Sequence, residues 1–202
     1  MKREWLKCSV LLFVMLFACS CATTSKEEKA KEDSAEDFYH KGMKEFKEGD
    51  FEDAVIEFKK AVAKDGKYFN AYYALGQSYE KQNKAKEAED AYGEAVKIEP
   101  KNLSAREALG LNRFHQKKFD ASEDHLKEAR TLGSKLPEVY YCLGEIEQRE
   151  HFCKTAIIAF KQALALDPDY MPARNGLKAA EDACRQKQPL QQQRPVQPSI
   201  KR

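Results

Sequence analysis

Six cysteines and four histidines are the most chemically reactive side chains in this sequence. His151 lies two residues before Cys153, a spacing that would allow an imidazole to activate a thiolate nucleophile. The cysteines form no paired zinc-ligand pattern; they are Cys8, Cys19, Cys21, Cys142, Cys153 and Cys184. The HExxH, GxSxG and glycine-rich phosphate-loop motifs are absent from the sequence. We therefore predict no catalytic residues, no metal site and no cofactor, and interpret the sequence as that of a binding protein.

Charge and composition exclude two further classes of function. The chain has 202 residues, with 35 Lys and Arg against 33 Asp and Glu, which gives a formal net charge of +2. A nucleic-acid-binding protein needs a basic face, and this near-balance does not favour one. Charged residues make up 34% of the chain, too many for a polytopic membrane protein. Neither nucleic acid nor a small-molecule substrate is predicted as a partner.

The first 18 residues have the organisation of a secretory signal peptide. Lys2, Arg3 and Lys7 form a basic start, and residues 10–18 form an uncharged apolar run. This run is too short to span a membrane, because a transmembrane helix needs about 20 apolar residues. Residues 1–18 are therefore predicted to be a signal peptide that is removed from the mature protein.

The end of this segment, Leu16–Cys19, resembles a bacterial lipobox. The resemblance implies cleavage before Cys19 and attachment of acyl chains, such as palmitate, to its thiol and its new amino group. Cys21 offers a second register with a poorer residue at −3, and an ordinary signal peptide is the alternative to both. Ser20 after the cysteine implies sorting to the outer membrane, facing the periplasm. Residues 19–34 are polar and charged, and are predicted to be the lipidated tether.

A repeated pattern organises the middle of the chain. The segments 35–68, 69–102, 103–136 and 137–170 align without a gap. Their eighth position is always glycine: Gly42, Gly76, Gly110 and Gly144. Their twenty-fourth position is aromatic or leucine: Phe58, Tyr92, Leu126 and Phe160. This pattern resembles the tetratricopeptide repeat, abbreviated TPR below.

The resemblance implies an all-α fold, a right-handed α-solenoid of four antiparallel helix pairs. Small residues let helix backbones approach closely, and the large residue at position 24 is expected to fill the gap between neighbouring repeats. Gly49 and Asn83 lie at predicted turns between helices, where a left-handed residue is favoured. No repeat buries its apolar face alone, so residues 171–186 are predicted to form a capping helix. Residues 187–202 are rich in Gln and Pro and are predicted to be a disordered tail.

Two of the cysteines are predicted to form a disulfide. The capping helix should run antiparallel to the second helix of repeat four, so the end that carries Cys184 lies near Cys153. Cys142 is in the middle of a first helix, too far from Cys153 for a bond. An oxidising periplasm would allow the pair Cys153–Cys184 to form. The alternative is three reduced, separately buried thiols.

The TPR resemblance also identifies candidate binding residues. In TPR proteins the concave groove is lined by positions 2, 5, 6, 9, 12 and 13 of each first helix. The candidates are Tyr39, Met43, Phe46, Asn70, Tyr73, Gln77, Leu111, Phe114, Tyr141 and Glu145. Aromatic and methionine side chains in a groove favour protein binding, because they offer contact area at little entropic cost. The alternative is that these rings pack against one another and stabilise the superhelix.

The same positions exclude one known TPR ligand class. TPR domains that clamp the acidic C-termini of cytosolic chaperones carry Lys and Asn at positions 5 and 9 of one first helix. Here those positions hold Tyr39 and Met43, and the next register holds Tyr73 and Gln77. The ligand is therefore not expected to be recognised by a basic carboxylate clamp.

Together these features predict a membrane-anchored, non-enzymatic interaction scaffold in the bacterial envelope. The layout is similar to that of the TPR pilotin lipoproteins, which implies a role in assembly of the type IV pilus secretin. The alternative is an envelope adaptor that recruits cell-wall hydrolases or proteases. An enzyme is the third class, and it would need a catalytic pocket that the sequence does not show. The expected partners are an envelope protein or peptide segment and, through the lipid, the membrane.

Overall fold

The computed structural model describes residues 33–186, which contain nine α-helices and no strand. The helices are α1 (Ala35–Glu48), α2 (Phe51–Lys64), α3 (Phe69–Lys81), α4 (Ala85–Ile98), α5 (Leu103–His115), α6 (Phe119–Thr131), α7 (Pro137–Arg149), α8 (Cys153–Leu166) and α9 (Met171–Gln186). The predicted signal peptide, the lipidation site Cys19, most of the tether and the tail 187–202 lie outside the described residues.

The helices pack in chain order as four antiparallel pairs and a cap. The first helix of each repeat begins at its position 1, and the second begins at position 17, at Phe51, Ala85, Phe119 and Cys153. Each helix packs against the helix before it and the helix after it. This architecture confirms the predicted fold class, an all-α repeat solenoid.

Every helix pair turns through a left-handed residue at position 15 of the repeat. The φ angle is 91° at Gly49 and 58° at Asn83, as the sequence predicts, but it is also 62° at Lys117 and 67° at His151. The following residue then donates a backbone hydrogen bond to the last turn of the first helix, for example from Phe152 to Glu147 at 2.9 Å. This hydrogen bond offsets the strain of a left-handed side-chain residue.

The glycine at position 8 contacts the large residue at position 24 of its own repeat. A Cβ built on Gly76 would lie 2.5 Å from the Tyr92 ring, and one built on Gly144 would lie 2.6 Å from the Phe160 ring. Phe160 also touches Gly176 in the capping helix α9. The prediction that position 24 fills the gap between repeats is therefore incomplete, because the ring first closes its own helix pair.

The capping helix α9 covers the end of the last repeat. Its Ala173 and Ala180 are fully buried and join Phe160 in one apolar cluster. A disulfide joins Cys153 at the start of α8 to Cys184 near the end of α9, with a Cα–Cα distance of 5.5 Å. Cys142 is fully buried and free. The antiparallel packing of α8 and α9 therefore brings together the pair that the helix register predicts.

Gly76→Ala tests the close approach of the two helices in a pair. We expect it to destabilise the protein by about 1–3 kcal/mol, because the new methyl group has to displace the Tyr92 ring. Gly93→Ala in α4 is the matched control, since nothing lies within 4 Å of its added Cβ. The control should stabilise the protein by about 0.5–1 kcal/mol through helix propensity. Urea denaturation measures both, and equal effects would contradict the packing argument.

Reduction of the Cys153–Cys184 bond should lower the free energy of unfolding by about 3–4 kcal/mol, since the bond closes a long loop in the unfolded chain. Thermal melts with and without reductant measure the change. A Cys184→Ser variant provides the control, because its melting temperature should not respond to reductant. Peptide mapping that finds both thiols free in protein from the periplasm would contradict the bond.

A candidate protein-binding groove

The concave side of the solenoid is formed by the first helices. α1 and α3, α5 and α7, and α7 and α9 contact one another directly. Within the described range, the second helices make no comparable contacts among themselves. The stack therefore curves toward the first helices, and side chains that point away from the second helices line a groove.

The tyrosines at position 5 are half-buried, with one edge in the core. The Tyr39 ring lies 5.9 Å from Phe58, the Tyr73 ring 5.6 Å from Tyr92, and the Tyr141 ring 6.1 Å from Phe160. Each partner is the position-24 ring of the same repeat. Both interpretations of these aromatics thus hold in part, because one edge supports the core and the remaining surface stays accessible.

The other candidate residues divide between two ends of the groove. Met43 and Phe46 pack, with Tyr39 and Tyr73, against the apolar core of the first two repeats. Leu111 and Phe114 pack, with Tyr141, against the core of the last two repeats, and the Phe114 and Tyr141 rings are 6.5 Å apart. Asn70 is exposed, and Gln77 and Glu145 are half-buried.

Two tyrosines that precede first helices extend this surface and were not predicted from the sequence. Tyr68 lies 5.3 Å from the Tyr39 ring, and Tyr170 lies 5.9 Å from the Tyr141 ring. Both occupy position 34, the last residue of a repeat. The sequence does carry a signal for them, because only repeats one and four have an aromatic residue at position 34. In these two repeats the position-34 tyrosine lies beside the position-5 tyrosine.

Four glutamates lie among these rings. The Tyr92 hydroxyl donates to Glu80 at 2.9 Å, and the Ser134 hydroxyl donates to Glu107. Glu138 lies 3.2 Å from the imidazole of His115. Glu145, one turn after Tyr141, is half-buried. The groove therefore combines aromatic surface with carboxylates.

Burial shifts the pKa values of the tyrosine hydroxyls and of one carboxyl group in the groove. It raises the pKa of the Tyr73 and Tyr141 hydroxyls, and neighbouring glutamates raise them further. Burial also raises the pKa of Tyr170 to about 12. These hydroxyls keep their protons at neutral pH and present donors. Burial raises the pKa of the Glu145 carboxyl, while Arg149 opposes that shift.

Two groups among the described residues invite a chemical interpretation, the His151–Cys153 pair and one cluster of carboxylates. Cys153 is held in the disulfide, so it supplies no thiolate to His151. In residues 33–186, the one group of carboxylates close enough to share an ion is Glu45, Glu48 and Asp50. This group is solvent-accessible, and Lys44 lies 3.5 Å from both glutamates, as in an ordinary surface ion pair.

A cavity of about 460 Å³ on the other side of α3 is the main rival to the groove. Tyr72 and Tyr79 form part of its lining, together with residues of α4. Two of its carboxylates are already paired, Glu89 with Arg113 at 2.9 Å and Glu94 with Lys97 at 2.6 Å, while Glu87 and Asp90 also line it. Unlike the groove, this cavity is confined to α3, α4 and α5 and does not extend along the repeats.

None of the helices between residues 33 and 186 is both long enough and apolar enough to span a membrane.

Comparisons with known proteins agree with this architecture. Family models described as "TPR repeat" and "Tetratricopeptide repeat" match residues 42–83 and 69–102. No curated protein sequence matches the chain. The chain therefore contains TPR repeats.

Solved structures with the same fold include MamA and YrrB. A MamA structure superposes with a TM-score of 0.69 at 22% identity, covering 74% of this chain and 82% of that chain. YrrB, a TPR protein described as having an unusual peptide-binding site, superposes with a TM-score of 0.71 at 21% identity, covering 80% of this chain and 82% of that chain. MamA from Desulfovibrio magneticus RS-1 gives a TM-score of 0.64 at 16% identity, covering 81% and 98%. At these identities the similarity shows the fold.

Proposed function

We propose that this protein is a membrane-anchored periplasmic scaffold that binds a segment of another envelope protein in its concave groove. The observation that carries the proposal is the row of half-exposed rings along the first helices. Tyr39, Tyr73 and Tyr141 each rest on a core ring and keep accessible surface, as interface aromatics do. The TPR fold itself suggests a protein–protein interaction scaffold.

A peptide segment fits the groove better than a compact ligand does. The first helices of all four repeats present both apolar and polar side chains on the groove side. Such a surface suits an extended or helical segment that places one side chain at each repeat. YrrB, with the same fold, is described as having a peptide-binding site, which supports this choice.

The anchor is proposed from the N-terminal sequence alone. The lipobox-like segment Leu16–Cys19 precedes a charged stretch that ends at Ser34, the N-cap of α1. In this proposal the acyl chains on Cys19 hold the protein at the outer membrane and residues 19–34 give the groove clearance from it. We propose assembly of the type IV pilus secretin as the process served, because the lipoprotein layout resembles that of the pilotins.

Tyr73→Ala with Tyr141→Ala should abolish capture of the envelope partner. The matched control is Tyr72→Ala with Tyr140→Ala, since these half-buried tyrosines pack on the same cores but point away from the groove. We expect similar losses of melting temperature and a loss of binding only in the groove variant. Crosslinking and pull-down from native envelopes, read by mass spectrometry, measure capture.

The identity of the captured protein separates the roles. Secretin subunits would support the pilus assignment, and cell-wall hydrolases or proteases would favour the adaptor. Equal binding by the two double variants would show that the groove is not the binding surface.

Cys19→Ser should abolish acyl labelling and release the protein from the membrane fraction into the periplasm. Metabolic labelling with an alkyne fatty acid, followed by fractionation, measures both effects. Cys21→Ser is the control and should label as the native chain does. Acyl labelling that survives Cys19→Ser and disappears in Cys21→Ser would place the anchor in the other register.

A further inference from the structure

Charge pairing differs between the two faces of the repeat domain. On the second helices, carboxylates lie beside lysines: Glu57 with Lys60, Glu94 with Lys97, and Glu123 with Lys127. These pairs neutralise the outer face locally and leave little net attraction for a charged partner.

Two of the four groove carboxylates, Glu80 and Glu107, have neutral partners instead. Glu80 accepts hydrogen bonds from the Tyr92 hydroxyl at 2.9 Å and from the Asn112 amide at 3.5 Å. Glu107 accepts one from the Ser134 hydroxyl. Across residues 33–186, no Lys or Arg forms an ion pair with Glu80, Glu107, Glu138 or Glu145. The imidazole of His115 lies 3.2 Å from Glu138, and Arg149 acts on Glu145 through its charge without an ion-pair contact.

These carboxylates form two groups, each around a tyrosine. In the first group Glu80 bonds to the Tyr92 hydroxyl, the Tyr92 ring lies 5.6 Å from the Tyr73 ring, and both Glu80 and Glu107 raise the pKa of the Tyr73 hydroxyl. In the second group Glu138 and Glu145 lie three residues before Tyr141 and four after it, on the same face of α7. We call the Tyr73 group site 1 and the Tyr141 group site 2.

An aromatic ring between two carboxylates is suited to an ammonium or guanidinium group. The carboxylates supply charge-assisted hydrogen bonds, and the ring face attracts the cation through its quadrupole. Glu107, Glu138, Glu145 and the two tyrosines are partly buried, which strengthens both attractions relative to open solvent, while Glu80 is exposed. An acidic segment would meet repulsion at both sites.

Within the described part of the chain, three cations of the first helices lie at helix ends, and none of them forms an ion pair with the four glutamates. Lys47, Lys81 and Arg149 occupy the last turns of their helices, where they complement the helix C-terminus. The Arg149 guanidinium lies 4.0 Å from the centroid of the Phe119 ring, so it is already engaged.

We propose that the groove recognises a cationic polypeptide segment of its partner, placing one Lys or Arg side chain at site 1 and another at site 2. This inference rests on the proposed function, and it names the chemistry of the segment. The two sites are two repeats apart, so the bound segment has to run along the groove rather than cross it. The two carboxylate–tyrosine sites determine which segments bind, and the remaining rings contribute apolar contact.

Two dye-labelled peptides of about twelve residues test the proposal by fluorescence anisotropy with the full mature chain. They share the same apolar residues and prolines, but one carries four lysines where the other carries four glutamates. The lysine peptide should bind at least about tenfold more tightly. Its advantage should disappear near 1 M salt, where the Debye length is about 3 Å.

Variants of the glutamates in site 1 and site 2 test whether these residues bind the lysine side chains. Glu80→Gln with Glu107→Gln should weaken the lysine peptide about tenfold, and Glu138→Gln with Glu145→Gln should do the same. Glu94→Gln with Glu123→Gln is the matched control, because it removes the same charge from the outer face and should change affinity less than about twofold. Circular dichroism verifies that the near-isosteric variants keep their helices.

The results distinguish this inference from the function on which it rests. A lysine peptide that binds no more tightly than its glutamate counterpart, or that loses affinity equally in the control variant, overturns the cationic ligand. Capture of the envelope partner that needs Tyr73 and Tyr141 but ignores all four glutamates would do so too, while leaving the scaffold function standing. Loss of peptide binding in both site variants, with the control unaffected, supports the proposal.

Discussion

The contact between the glycine at position 8 and the large side chain at position 24 determines the rest of the structure. It holds the two helices of each pair so close that a single added methyl group would overlap the large side chain, which is a ring in three repeats and Leu126 in repeat three. The same ring then supports the position-5 tyrosine on the groove side, as Tyr92 supports Tyr73. The packing of the core thereby positions the groove surface, because the edge of the tyrosine that faces away from the groove packs on the position-24 ring.

Repeat three shows that these two positions depend on each other. Leu126 replaces the aromatic at position 24, and Glu107 replaces the tyrosine at position 5. Without a ring below it, a tyrosine at position 5 would lose its packing partner, whereas a carboxylate can bond to Ser134. Repeat three joins repeat two through apolar packing of Ala105 and Leu109. Polar contacts add to this packing, with Arg113, Gln116 and Lys118 all bonded to Glu89.

The sequence predicts the fold almost completely because the repeat has a fixed length and each column has one packing role. The helix pairs, the capping helix and the pairing of Cys153 with Cys184 follow from that register. The left-handed turns at Lys117 and His151 could not be read from residue type, since hydrogen bonds to the preceding helix impose them. The sequence also could not decide whether the position-5 tyrosines belong to the core or to the groove. Helical periodicity assigns each residue to one face of a helix, whereas these rings contact the core with one edge and line the groove with the other.

The groove carboxylates are the part of the site that could be identified only from the folded structure. In the sequence, Glu80 and Glu107 are two acids in a chain that has 33, and only 27 residues of separation distinguish them from any other pair. Their significance comes from what surrounds them after folding: hydroxyl and amide donors instead of the lysines that accompany carboxylates on the second helices. Neutral donors hold Glu80 and Glu107 in place but leave their charge uncompensated, and Glu145 carries a burial cost that Arg149 opposes. A stability-optimised surface would pair such charges, so their retention in the groove is the expected signature of a site whose counter-charge arrives with the ligand.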